Sequence, residues 1–177
     1  MKEELFIPEN CNVSLENELV VVSGSKGEVK KRLFNPLVKM FVDKEKIILE
    51  SKKDNKQAKK LIKTFRAHIK NLFKGANEGH VYKLKICSGH FPMTVVVKEN
   101  IFEIKNFLGE KVPRTVGILK DTSVKIEGIE IIVESINKEQ AGQMAALLEQ
   151  LTKRPGFDKR IFQDGIYLIE KDGKQIK

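Results

Sequence analysis

The chain has 177 residues, 41% hydrophobic and 32% charged, with a formal net charge of +9. That length suits one medium domain or two small ones, and the apolar fraction excludes disorder throughout. The basic balance, with a pI near 9.4, is silent on fold but favours a polyanionic partner such as nucleic acid or an acidic membrane surface. The opening MKEELFIPEN lacks the apolar core of a signal peptide, and no apolar run approaches the roughly 20 residues of a membrane span. A soluble, cytoplasmic protein with no membrane partner is expected. Cys11 and Cys87 stand far apart, outside any C-x-x-C pair. With three scattered histidines they do not supply the spacing of a structural zinc site, so a reduced compartment and no metal are expected.

In chain order, ELVVVSG reads as a strand that runs into SGSKGE, Ser23 to Glu28. A phosphate-cradling loop needs G-x-x-x-x-G-K-[ST] leading into a helix. That pattern is absent, and a hairpin turn is expected. FVDKEKIILES reads as a second hairpin with Lys44-Glu45 at its tip. From Asp54 to Phe73, apolar residues recur at helical period: Ala58, Leu61, Ile62, Phe65, Ile69, Leu72 and Phe73. Asp54 is the expected cap, with Gln57 three residues on, and Gly75 the expected stop. GANEGH, Gly75 to His80, reads as a short junction. VYKLKICSG alternates Tyr82, Leu84 and Ile86 with Lys83 and Lys85, as a strand does. MTVVVKENIFEIKN and SVKIEGIEIIVES read as further hairpins, the latter turning at Glu127-Gly128. A second helix is expected from Asn137 to Lys153, capped by Asn137 and stopped by Pro155-Gly156. The last apolar run, GIYLI, follows Asp164-Gly165, a turn dipeptide in which Gly165 would supply positive φ.

The two halves correspond. KIILES ends at Ser51 and EIIVES at Ser135, an offset of 84, while the caps Asp54 and Asn137 are offset by 83. SKGEV (25–29) stands opposite FLGEKV (107–112). The expected fold is therefore α+β: two tandem similar domains, each an antiparallel sheet with one helix packed on a face, plus a C-terminal extension. The expected domains are 1–78 and 79–177. The extension, RPGFDKRIFQDGIYLIEKDGKQIK, has no counterpart in the first half, which makes it a natural place to look for function.

Candidate chemistry is sparse. Cys87 or Ser88 with His90 lacks an orienting third group and a nucleophile-elbow pattern. Asp158 and Asp164 stand among cations, without the desolvated cleft that general acid–base work requires. No catalytic residue is expected. Between Lys52 and Lys74 there are nine Lys/Arg and one acid, Asp54, which reads first as a solvated helix face. The C-terminal cluster differs in kind. Lys153-Arg154 and Lys159-Arg160 bracket Pro155, Gly156 and Phe157, and Phe162 and Tyr167 follow. Cations interleaved with rings suit RNA, since the cations neutralise phosphates and the rings stack bases. Spacing alone leaves open the alternative that the rings are core and the cations decoration.

RIFQDGIYLIEK resembles the C-terminal signature of the large-ribosomal-subunit protein six family in its archaeal and eukaryotic form. The pattern R-x-F-x-D-G, then apolar–Tyr–apolar, falls on Arg160, Phe162, Asp164, Gly165, Ile166, Tyr167 and Leu168. YKLKICSGHFPMTV (82–95) and NFLGEKVPR (106–114) are similarly typical, so the likeness spans essentially the whole chain. TKRPGFDKR departs from the family's usual longer apolar and basic stretch. The resemblance implies a structural constituent of the large subunit, not an enzyme and with no cofactor. It implies binding of large-subunit ribosomal RNA mainly through the second domain, near the stalk base, with neighbouring ribosomal proteins and with translation factors docking nearby. A free-standing RNA- or DNA-binding regulator is the alternative. The candidate RNA contacts are Lys153, Arg154, Lys159, Arg160, Lys171 and Lys174, with Gln163 and Tyr167 between them. A second line comprises His80, Tyr82, Lys83, Lys85 and His90, and the NFLGEKVPR segment contributes Lys111 and Arg114.

Overall fold

The computed structural model describes every residue except Met1, Asn17, Lys44, Lys53, Lys159 and Lys177. The chain divides into two compact units, Met1–Gly79 and His80–Lys177. The first contains β1 (Lys2–Phe6), β2 (Asn12–Glu16), β3 (Leu19–Gly24), β4 (Gly27–Arg32), β5 (Lys39–Val42), β6 (Lys46–Glu50) and α1 (Lys56–Asn77). Its strands form two antiparallel sheets, ordered β1-β6-β5 and β2-β3-β4. The helix stripe Ala58, Ile62, Phe65, Ile69, Leu72 and Phe73 is buried, and Lys56, Lys59, Lys60, Lys63, Arg66 and Lys70 are exposed. This is the separation that helical period demands of an amphipathic sequence.

Both ends of α1 differ from the sequence expectation. The cap is Asn55, not Asp54: the Ala58 N–H donates to its side-chain oxygen at 2.8 Å. The helix also runs through Gly75, because tertiary contacts hold its final turn. The Lys26 N–H donates to the Ala76 carbonyl at 2.9 Å, and the Ser25 hydroxyl donates to the Asn77 carbonyl at 2.9 Å. The stop is Gly79, whose φ of +80° lets its N–H return to the Lys74 carbonyl at 3.1 Å. SGSKGE is the β3–β4 hairpin that makes these contacts. At the tip of the β5–β6 hairpin, Lys44 lies outside the described residues.

The second unit contains β7 (His80–Cys87), β8 (Thr94–Lys98), β9 (Ile101–Lys105), β10 (Arg114–Gly117), β11 (Thr122–Glu127), β12 (Glu130–Ser135), α2 (Lys138–Leu151), β13 (Gly165–Lys171) and β14 (Lys174–Gln175). Its sheets are ordered β10-β9-β8 and β11-β12-β7-β13-β14. Chain order and pairing match β5-β6-β1 to β11-β12-β7, and β4-β3-β2 to β10-β9-β8. The α+β class and the duplication are thus visible in the strand pairing, with each unit dividing its strands between two sheets rather than one. The similar strands KIILES and EIIVES are β6 and β12, the middle strands of their triplets. Asn137 caps α2 as expected, accepting the Glu139 N–H at 2.9 Å. The helix stops at Leu151, before Pro155-Gly156. The core packs Leu84, Phe102, Ile104, Ile131 and Val133 against Met144 and Leu148 of α2. Among the described residues, no helix is long and apolar enough to cross a membrane.

At the tight β3–α1 approach, a Cβ on Gly24 would lie 2.7 Å from the Ala76 carbonyl oxygen. Backbone cannot swing aside as a side chain can. Gly24→Ala should destabilise the first unit by about 1–3 kcal/mol, the usual range for overpacking, read as a lower denaturant midpoint.

Candidate nucleic-acid interface

The added strand β13 does not sit outside the second unit. It pairs antiparallel with β7 in the register Gly165↔Cys87, Ile166↔Ile86, Tyr167↔Lys85 and Leu168↔Leu84. Ile166 is fully buried in the core, while Tyr167 faces outward and is exposed. A register shift between Leu168 and Glu170 follows. Strand alternation therefore divides GIYLI between packing and display.

Each end of β13 is tied to β7 by an aspartate. At one end, buried Asp164 accepts the Gly89 N–H, the His90 N–H at 3.0 Å and the His90 Nδ1–H at 2.5 Å. At the other, Asp172 accepts the His80 Nδ1–H at 2.8 Å and the Val81 N–H at 3.2 Å. Burial by itself raises the Asp164 carboxyl. The hydrogen bonds from the His90 amide and ring and the Gly89 amide outweigh it and hold the group below the usual aspartate range.

The turn expected at Asp164-Gly165 is corrected accordingly. Gly165 is not among the residues with positive φ; it opens the strand, and a Cβ there would lie 3.2 Å from Thr152 Oγ1 and 3.3 Å from the Tyr167 ring. The two-residue hairpin turn is instead Asp172-Gly173, with φ of +50° and +80°, the mirror-image turn that Asp-Gly favours. It joins β13 to β14.

Between α2 and β13 the chain folds back over this strand. The Ile166 N–H donates to Thr152 Oγ1 at 3.0 Å, anchoring the start of β13 to the end of the helix. Arg154 lies over the Phe157 ring at 4.2 Å. Phe157 meets Phe162 edge-on with centroids 4.9 Å apart, and Phe162 meets the His90 ring at 5.0 Å. One continuous tier, Arg154–Phe157–Phe162–His90, thus ends on the imidazole that Asp164 holds.

The expected contact residues separate into distinct settings. Exposed on the surface are Lys85, Lys111, Lys153, Gln163, Tyr167, Lys171 and Lys174. Lys83 is half-buried and its ammonium reaches Glu170 at 3.2 Å. Arg160 projects into solvent while forking onto Asp158. His90 is partly exposed and carries the Asp164 bond. Lys159 lies outside the described residues. His80 and Tyr82 are corrected: they are 0% and 5% exposed, so neither presents a surface for RNA. They share the strand parity of core Leu84, and that alternation was the available signal. Arg114 is corrected too, for its guanidinium is committed internally. It forks onto Glu110, donates to the Leu151 and Lys153 carbonyls at the end of α2, and covers Phe107. It acts as a support for the helix end. Sequence reasoning also missed Asp172, whose Asp-Gly lies one residue after a strand of basic and apolar residues.

A duplicated α+β scaffold whose second copy alone carries an added strand and a basic, aromatic loop defines a class: a basic binding scaffold built by tandem repetition. Comparison with known proteins makes this specific. The chain belongs to the Ribosomal protein L6 family, whose model matches residues 7–79 and 91–165. It is 45% identical over 176 residues to the large ribosomal subunit protein uL6 of Methanococcus vannielii, covering 99% of this chain and 97% of that one. It is 45% identical to the protein of the same name from Nanoarchaeum equitans over 184 residues, covering 99% and 96% of the two chains. The corresponding Methanosarcina mazei protein is 44% identical over 165 residues, with 93% and 94% covered.

Asp164→Asn should cost about 1–3 kcal/mol, the range for hydrogen bonds to a charged group, because one acceptor becomes a donor aimed at His90. The sign of the pH dependence follows from the lowered carboxyl. Its stabilisation is present above the unfolded aspartate value of about 3.9 and is lost as pH falls through the lower folded value. The gap between wild type and Asp164→Asn should therefore be full at neutral pH and close in strong acid, as read by denaturant melts across pH.

Proposed function

We propose that this protein is a structural component of the large ribosomal subunit, located in the cytoplasm within the ribosome. It binds large-subunit ribosomal RNA mainly through its second unit, beside neighbouring ribosomal proteins and near the stalk base where translation factors dock. Its work is electrostatic and geometric: cations neutralise phosphates and fix the register of RNA helices, with no bond made or broken. The observation that carries this reading is the concentration of solvent-facing cations and rings on the material that only the second unit has. Lys153, Arg154, Arg160, Tyr167, Lys171 and Lys174 all lie on the segment from the end of α2 through β14. Lys85, directly opposite Tyr167 on β7, extends the same surface. Near-full-length similarity to proteins named for the large subunit supports the assignment.

Reversing charge at Lys153, Arg154, Lys159 and Arg160 together should abolish co-sedimentation with the large subunit while leaving the thermal midpoint within a few degrees of wild type. Unchanged incorporation of that variant would overturn the assignment of this surface. Affinity for the ribosomal RNA should fall with salt, with roughly 0.7–0.9 of log–log slope for each phosphate neutralised. Single Lys→Ala variants at Lys85, Lys153, Lys171 or Lys174 should each lower that slope by about one such step.

A further inference from the structure

The tier Arg154–Phe157–Phe162 and the outward ring of Tyr167 border an open cleft of about 140 Å³ in the second unit, with Leu108 and Glu149 also on its walls. A space of about 150 Å³ admits one aromatic ring. Its composition is unusual for this protein. Phe157 and Tyr167 remain 38% and 41% exposed, whereas Phe102, Phe107 and Tyr82 of the same unit are buried. Lys153 and Arg154 stand among its lining residues, and Lys85 is the strand neighbour of Tyr167 in the β7–β13 register. Within the cleft, the Glu149 carboxylate has no ion-pair or hydrogen-bond partner among the described residues. Asp164 and Thr152 are engaged already. Asp164 holds the 89–90 amides, and Thr152 Oγ1 accepts the Ile166 N–H and donates to the Glu149 carbonyl.

We propose that this cleft receives a single unpaired nucleobase, turned out of the RNA that the second unit binds. The inference rests on the RNA-binding reading above and names the ligand of that same surface. An exposed ring offers a base a stacking face regardless of sequence, and single-stranded or bulged bases are what proteins read in RNA, since the A-form major groove is closed to side chains. The unpaired carboxylate accepts hydrogen bonds from a base edge that carries an amino group, as acidic side chains do. The adjoining phosphates fall to the cations at the rim. A polypeptide occupant fits less well, because a space of about 140 Å³ matches one ring and Lys153 and Arg154 bring positive charge to it. Asp164 is a positioning residue in this scheme: it holds His90, on which Phe162 and then Phe157 lean.

The test uses the full chain and the organism's own large-subunit ribosomal RNA, probed with and without protein. Hydroxyl radicals report the sugar–phosphate backbone. Dimethyl sulfate and kethoxal report the Watson–Crick edges of adenine, cytosine and guanine. Wild type should protect a backbone footprint and, inside it, at least one unpaired base. Phe157→Ala with Tyr167→Leu should lose that base protection and about tenfold to a hundredfold in affinity, yet keep the backbone footprint and the thermal midpoint. Tyr167→Phe should restore protection, because the ring is what stacks. Glu149→Gln should keep stacking but weaken protection of the amino-bearing base. Base protection that persists in the Phe157→Ala, Tyr167→Leu variant overturns the cleft assignment and leaves the RNA-binding reading intact. Absence of any backbone footprint with wild type overturns both.

Discussion

The architecture of the second unit turns on how one late strand is fastened to one early strand. β13 lies beside β7 because an aspartate at each end of it captures a backbone amide and an imidazole belonging to the β7 segment: Asp164 with His90, and Asp172 with His80. A sheet ladder specifies spacing well but resists slipping only where side chains or turns pin it. Here two buried or half-buried carboxylates supply the pins, and the hydrogen bonds they accept are of the charged kind, roughly twice as strong as neutral ones. Ile166 then enters the core and Tyr167 is left outside. A slip of one residue would exchange those two, losing core packing and the displayed ring together.

The duplication makes plain what this fastening adds. In the first unit the triplet β5-β6-β1 ends at β1, and in the second the matching triplet continues from β7 into β13 and β14. The pairing partners of the repeated strands are otherwise the same in both units. The second unit thus extends a sheet edge that the first leaves open. That extension brings the basic, aromatic loop with it, tied back at the end of α2 through Thr152 and through Arg114.

Counting lysines and arginines overstates the free positive surface. Arg114 closes a helix end, Lys83 meets Glu170, Arg66 lies 3.6 Å from Glu3, and Lys59 lies 3.2 Å from Asp54. Exposed pairs of this type contribute little stability, yet they decide where a field of net positive sign remains. Exposed cations outside these pairs remain on the α1 face, at Lys85 and Lys171, and around the Lys153–Arg154 corner, where rings accompany them. Arg154 serves both purposes, lying on Phe157 while its charge stays at the cleft rim.

Local periodicity in the sequence determined the two helices and their buried stripes, the hairpins and the repeat, and composition the net positive charge. These are properties of neighbours along the chain: a stripe at 3.6 residues or an alternation at two needs no knowledge of distant contacts. The alternation through Tyr82, Leu84 and Ile86 even implied that His80, in the same phase, points inward. Tertiary structure alone decided that α1 runs past Gly75, because the β3–β4 hairpin holds its last carbonyls. It alone decided which Asp-Gly is a turn. Asp172-Gly173 has left-handed φ at both positions, whereas Asp164 is drawn into the unit by amides 74 and 75 residues away in sequence. The same dipeptide serves two purposes because a carboxylate follows whichever donors the fold brings to it, and those donors are adjacent in space and not in sequence.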